Sequence, residues 1–143
     1  NNYAYYLSEK GVDLHKAESM SYKTIKAEPN NGTYLDTYAW ILFMEERYAD
    51  AKTYIDQALK NRDSTADNST VLEHAGDIYY MNGIADESVD FWKKAYTGEN
   101  QTEVLVWKIK NRQYITEEEL KKRNAPKQKP AATKKSVRKG KKK

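Results

Sequence analysis

Three stretches of the chain share one spacing of apolar and small residues, which predicts amphipathic helices. The residues fall at i, i+3, i+4, i+7 and i+8, so they line one face of a helix. The stretches begin at Ala17, Ala51 and Ser88. The pattern predicts an all-α chain of helical hairpins, with small residues where two helices approach closely. A second helical set precedes the last two stretches, and its members are Leu35, Tyr38, Ala39 and Leu42 and, in the same order, Leu72, Ala75, Gly76 and Tyr79.

One segment, 33–43, is apolar nearly all the way round, although the chain as a whole is polar, with a mean hydropathy of −1.01. A helix without a polar face is buried on several sides. We therefore expect this helix to have neighbours both before and after it in the chain.

The hairpins recur with a period known from helical-repeat proteins. Ala51 follows Ala17 by 34 residues, and Ser88 follows Ala51 by 37 residues. Thirty-four residues is the tetratricopeptide (TPR) period. With Gly11 and Gly83 between helices and Pro29 after the first hairpin, residues 1–97 resemble the TPR family. They are further similar to the C-terminal repeats of multi-repeat bacterial TPR proteins, and they depart from the family at Glu46, where glycine is usual.

The resemblance implies a right-handed TPR solenoid of three helix-turn-helix repeats with a C-terminal capping helix. In that helix Lys108, Lys110 and Arg112 would supply the wetter outer face that a terminal helix needs. Thr116 to Glu119 have the spacing of a capping box, which predicts a short final helix. The pattern starts in the middle of a repeat, so we expect further repeats upstream. The expected units are a TPR domain at 1–115 with repeats at about 1–30, 31–65 and 68–98, the capping helix at 101–113, a short helix at 116–123, and a disordered Lys-rich tail at 124–143.

The resemblance also implies a concave groove that binds a peptide or an amphipathic helix of a protein partner, without catalysis. Aromatic and Met side chains suit such a surface. The segments 33–45 and 69–82 contain no Lys or Arg, so we expect a neutral or basic partner. For Trp40 and Phe43 the alternative stays open that they belong to the core or are covered by the terminal helix. The expected groove residues are Tyr5, Asp36, Trp40, Phe43, Met44, Asp77, Tyr80 and Met81.

Residues suited to catalysis or metal binding are few. The chain has no cysteine and two histidines, His15 and His74. Glu73, His74 and Asp77 lie within one helical turn, but adjacent positions face different sides of a helix, so we expect ordinary polar surface. There is no nucleophile elbow, phosphate-binding glycine loop or zinc-binding H-E-x-x-H motif. We expect no enzyme activity, no cofactor and no bound metal.

The positive charge is concentrated at the C-terminal end. Residues 121–143 carry twelve Lys and Arg and no acid, whereas residues 1–120 carry thirteen against twenty-one Asp and Glu. Three interpretations stay open: a solvated run of charge, a salt-sensitive contact with nucleic acid or an anionic membrane, and an import signal, since the tail resembles a bipartite nuclear localisation signal. The residues concerned are Lys134, Lys135, Arg138, Lys139, Lys141, Lys142 and Lys143.

The tail gives an alternative function, a nucleic-acid-associated protein for which the repeats are a platform. A flexible tail of ~20 residues spans about 25 Å, so we also expect a transient contact with the acidic groove. The bacterial resemblance favours the cytoplasm or the periplasm and cell envelope, and a nuclear location would require a genuine import signal. No apolar run approaches the roughly 20 residues of a membrane helix.

Overall fold

A computed structural model describes residues 13–63, 68–96 and 101–125. These residues form helices and no strands, so the prediction of an all-α chain is confirmed for them. The expected helix before Gly11, the groove residue Tyr5 and the tail residues from Lys134 to Lys143 lie outside the described residues. The helices are α1 (Leu14–Ala27), α2 (Gly32–Met44), α3 (Tyr48–Lys60), α4 (Ser69–Met81), α5 (Ala85–Ala95), α6 (Glu103–Asn111) and α7 (Glu117–Asn124).

Four of the described helices, α1, α2, α6 and α7, begin where a side chain accepts a hydrogen bond from a free backbone amide. The side chain of Asn31 accepts from the Tyr34 amide at the start of α2, and that of Thr102 accepts from the Leu105 amide at the start of α6. At α7 the predicted capping box is confirmed, because Thr116 and Glu119 bond to each other's amides reciprocally.

Two consecutive helix pairs, α2–α3 and α4–α5, are joined by turns with the same hydrogen bonds. The Arg47 amide donates to the Leu42 carbonyl at 2.9 Å, and 37 residues further on the Ile84 amide donates to the Tyr79 carbonyl at 3.0 Å. Bonds of this kind satisfy carbonyls at a helix end and fix the angle at which the chain leaves it. The two hairpins therefore turn in the same way.

The middle residue of each turn has left-handed backbone. Gly83 has φ 80°, and Glu46 occupies the equivalent place with φ 64°. Glycine adopts this conformation without steric cost, whereas a residue with a side chain does not. Glu46 is the position where the sequence departs from the TPR pattern, and the backbone keeps the glycine-like conformation there.

Small residues lie where helices touch, as the sequence predicts. The Ser88 hydroxyl donates to the Gly76 carbonyl at 2.8 Å, which brings α5 against α4. A Cβ atom at Gly76 would overlap the indole of Trp92. Ala51 is fully buried at the equivalent place of α3, and Ala17 of α1 is fully buried in a cluster with Ile41 of α2.

Helix α2 is buried on several sides, which explains its apolar composition. It packs against α1, α3 and α4. Residues 37–43 are consecutively buried, so no face of the helix in that stretch is polar. The expectation that this helix has neighbours before and after it is confirmed. Among the described residues, none of the helices combines the length and hydropathy needed to cross a membrane.

Candidate functional site

A cleft of about 540 Å³ lies between α2, α4 and the C-terminal part of the chain. Trp40 and Met44 line it from α2, and Asp77 lines it from α4, so the fold brings three of the predicted groove residues together. The opposite wall comes from α6 and from the segment that links α6 to α7. The cleft therefore lies between residues that were predicted to bind a partner and the part of the chain that was predicted to cap the repeats.

A buried lysine crosses this cleft. Lys108 of α6 places its Nζ 2.7 Å from Asp77 Oδ1 and 2.8 Å from Glu73 Oε2, both on α4. The Trp92 indole also donates to Asp77 Oδ1, at 3.0 Å. Burial opposes the charge on Lys108, but the two carboxylates outweigh it and raise the pKa of the ammonium group. A paired, hydrogen-bonded geometry of this kind is what allows charges to remain in an interior.

A second ionic pair links α2 to α4. Asp36 Oδ1 lies 2.8 Å from His74 Nδ1, and the imidazole stacks on the Trp40 indole with ring centroids 4.1 Å apart. Burial by itself opposes protonation of His74, but the carboxylates of Asp36, Asp77 and Glu73 raise its pKa above the ordinary value. The pair is thus a titratable contact in the middle of the molecule.

These two contacts correct the expectation that Glu73, His74 and Asp77 form ordinary polar surface. His74 is 7% exposed and Asp77 4% exposed. The expectation that Lys108 lies on a wet outer face is also wrong, because it is 2% exposed. Lys110 and Arg112 are exposed, as expected.

The aromatic residues of the predicted groove are covered. Trp40 stacks on Phe43 with centroids 4.6 Å apart, and the edge of Tyr114 meets Phe43 at 5.7 Å. Trp40 is 9% exposed and Phe43 is 6% exposed. The expectation that these two side chains are open to a partner is therefore corrected, and the alternative, burial under the terminal part of the chain, is what the structure has. That they bind a partner stays a prediction.

The remaining groove residues are more accessible. Met44 and Met81 occupy equivalent positions of α2 and α4, 37 residues apart, and both are exposed. Tyr80 and Asp36 are half-buried, and Tyr80 stacks on Trp92 with centroids 6.0 Å apart. Methionine adapts its shape to varied apolar partners, so the two exposed residues suit a binding surface.

A separate group of potential metal ligands lies where α1 meets Glu45, the residue that follows α2. The ligand atoms of His15, Glu18 and Glu45 are within 4.8 Å of one another. Arg47 Nη1 already lies 3.0 Å from Glu18 and 3.5 Å from Glu45. A guanidinium therefore takes the place between these carboxylates that a cation would need, and we assign no metal to them.

Sequence reasoning missed the roles of Lys108 and Tyr114. The sequence holds one signal for each: Lys108 follows the apolar Leu105 by three residues and so shares its face, and Tyr114 with Ile115 forms an apolar pair in a polar stretch. No protein-family model matches the sequence, and no curated protein matches it either.

Proposed function

We propose that this chain is a TPR-type scaffold, a right-handed solenoid of helical hairpins with a C-terminal cap, and that it binds a protein partner without catalysis. The recurrence of one turn geometry, with left-handed backbone at Glu46 and at Gly83, supports the repeat architecture. Repeats that stack in this way form an extended, preformed surface to which a partner segment can bind.

The observation that carries the proposal is the equivalence of Met44 and Met81. The two residues end the first helix of successive hairpins, and each is 36% exposed. Exposed methionines at the same place in consecutive hairpins suit the role of apolar anchors, and Met44 lies in the lining of the cleft. Among the apolar groove residues expected from the sequence and described by the structure, those that a partner can reach are thus Met44, Met81 and the half-buried Tyr80.

The charge around these anchors favours a neutral or basic partner. Helices α2 and α4 contain no Lys or Arg, and the exposed Glu117 and Glu118 lie at the rim of the cleft. The basic residues Lys108 and His74 of the cleft lining are already paired with carboxylates. A partner with an apolar face flanked by Lys or Arg therefore meets complementary charge.

The test is site-specific photo-crosslinking in nuclease-treated lysate of the source organism. A photoreactive phenylalanine derivative replaces Met44 in one variant, Met81 in a second and Tyr96, which is 43% exposed at the end of α5, in a control. We expect one and the same protein to be crosslinked from Met44 and Met81 and not from Tyr96.

Two results would contradict the proposal. Crosslinking that is equal from all three positions would indicate random collisions. Capture that occurs only in a parallel lysate without nuclease treatment, or that depends only on the basic residues from Lys134 to Lys143, would instead support the alternative of a nucleic-acid-associated protein.

A further inference from the structure

The cleft is closed by a short segment of the chain itself, residues 112–116, which we name the cover segment. Its Tyr114 meets Phe43 edge to face at 5.7 Å, and its Ile115 is 3% exposed. Tyr114 packs against both main apolar clusters of the protein. Tyr114 therefore covers part of the aromatic surface of α2, and Ile115 is buried in the lining of the same cleft.

The backbone of the cover segment is irregular. It leaves α6 at Arg112, whose backbone is left-handed with φ 53°, and enters α7 at Thr116, whose backbone is extended. Between them residues 113–115 have no regular secondary structure. Among the described residues, no backbone hydrogen bond ties 113–115 to α2 or α4. Side chains, and not backbone pairing, therefore hold the segment in the cleft.

The attachment of the C-terminal helices to α4 depends on few groups. The backbone of α6 runs along α5 and hardly approaches α4, so the long Lys108 side chain spans the gap. Helix α7 has a single buried residue, Leu120. Apolar side chains of the same volume often stabilise a contact more than a buried ion pair does. Regions with few buried apolar contacts open at lower free energy than the core.

We propose that the cover segment is an internal ligand, and that the partner displaces it with an extended protein segment that presents an aromatic residue followed by an aliphatic one. This inference rests on the proposed function and names the chemistry of the partner at that site. The aromatic ring takes the place of Tyr114 against Phe43, and the aliphatic side chain takes the place of Ile115. Opening of the cover adds Trp40 and Phe43 to the exposed anchors Met44 and Met81.

The test uses the full chain with Tyr114→Ser and Ile115→Ser combined, and a fluorescent synthetic peptide with the sequence of residues 111–118. In the unaltered chain the tethered cover segment competes with the peptide for the cleft. We therefore expect the affinity of the peptide for the unaltered chain to be at least about tenfold lower than its affinity for the variant. A control peptide with serine at the positions of Tyr114 and Ile115 is expected not to bind either protein. Fluorescence anisotropy measures both affinities, and absence of peptide binding by a variant that retains its helical circular dichroism would overturn the inference.

Hydrogen exchange of the unaltered chain gives a second measurement that does not depend on the variant folding. We expect the amides of α6 and α7 to exchange together, at least about tenfold faster than those of α2 and α4. Equal protection of all four helices would identify the cover as ordinary core and would overturn the inference. The two proposals can be contradicted independently. Crosslinking from Met44 and Met81 without peptide binding would support the scaffold function alone. Peptide binding without a crosslinked partner would support only the role of the cover segment as an internal ligand.

Discussion

Lys108 and Asp77 form a 2.7 Å ion pair between two side chains that are almost completely buried. They lie 31 residues apart in the sequence and on helices whose backbones hardly approach each other. The pair therefore links α6 to α4 across the cleft, in addition to the apolar packing of Leu105 against α5 and of Tyr114 against Phe43.

Replacement of this lysine tests how much the pair contributes. We expect Lys108→Ala to lower the free energy of unfolding by about 3–5 kcal/mol, because Asp77 would be left as a buried carboxylate without its cation. Urea denaturation followed by circular dichroism measures the change. The control is Lys110→Ala on the exposed side of the same helix, for which we expect a change within about 0.5 kcal/mol. Equal effects of the two substitutions would show that the buried pair contributes nothing.

Replacement of Phe43 distinguishes a core role of this side chain from a surface role. Since its ring is enclosed by Trp40, Tyr48 and Tyr114, we expect Phe43→Ala to cost about 3–5 kcal/mol of stability. Met44 is its neighbour in the chain and is exposed, so Met44→Ala is the matched control, with an expected cost below about 1 kcal/mol. Thermal unfolding of both variants decides between the roles, and a small loss for Phe43→Ala would return this residue to the list of open groove residues.

Glu46 and Gly83 have left-handed backbone, so we expect that introducing glycine at Glu46 and removing it at Gly83 have opposite effects on stability. We expect Glu46→Gly to stabilise the protein by up to about 1 kcal/mol, because the left-handed conformation is strained for a residue with a side chain. Gly83→Ala should destabilise it by about 1–2 kcal/mol, and the backbone angle is the sole cause, since a Cβ there meets no atom within 4 Å. Glu46→Ala is the control for loss of the carboxylate and should bring no gain. Melting temperatures that move together in Glu46→Gly and Glu46→Ala would refute the backbone explanation.

His74 makes stability depend on pH. Burial opposes its protonation, but Asp36, Asp77 and Glu73 outweigh burial, so the pKa in the folded protein is above the ordinary value of about 6.5. The folded state then holds a proton that the unfolded state has lost, and stability falls as pH rises from about 6.5 through the raised pKa. Below about pH 6.5 the contribution is fully present.

The measurement is the free energy of unfolding against pH for the unaltered chain and for His74→Gln. We expect the difference between the two to shrink as pH rises above about 6.5. The two proteins differ at one residue, so the difference between their curves reports on His74. Curves that stay parallel between about pH 5 and pH 9 would exclude a titrating role for His74.

Local patterns predicted the helices well because they depend on neighbours in the chain. The capping box at Thr116 and the glycine turn at Gly83 need only a few adjacent residues, and both are present in the structure. The burial of α2 was also predictable, since a helix without a polar face requires cover on several sides. What covers each face was not predictable from the same pattern.

The candidate site was predicted less completely, and Lys108 shows why. A lysine in an amphipathic helix is normally solvated, and its burial here depends on two carboxylates that lie more than thirty residues away. Trp40 and Phe43 were candidates for both the groove and the core for the same reason. Their exposure is decided by where Tyr114 comes to lie, and no spacing in the sequence specifies that.

The sequence by itself determined the helical hairpins, the small residues such as Gly76 and Ser88 at the helix contacts, and the lack of basic residues in α2 and α4, because period, side-chain size and charge are local properties. Only the tertiary structure decided that Lys108 joins Asp77 and that residues 112–116 close the cleft. Those contacts form between distant parts of the chain, and their stability comes from desolvation and pairing, which exist only once the helices are assembled.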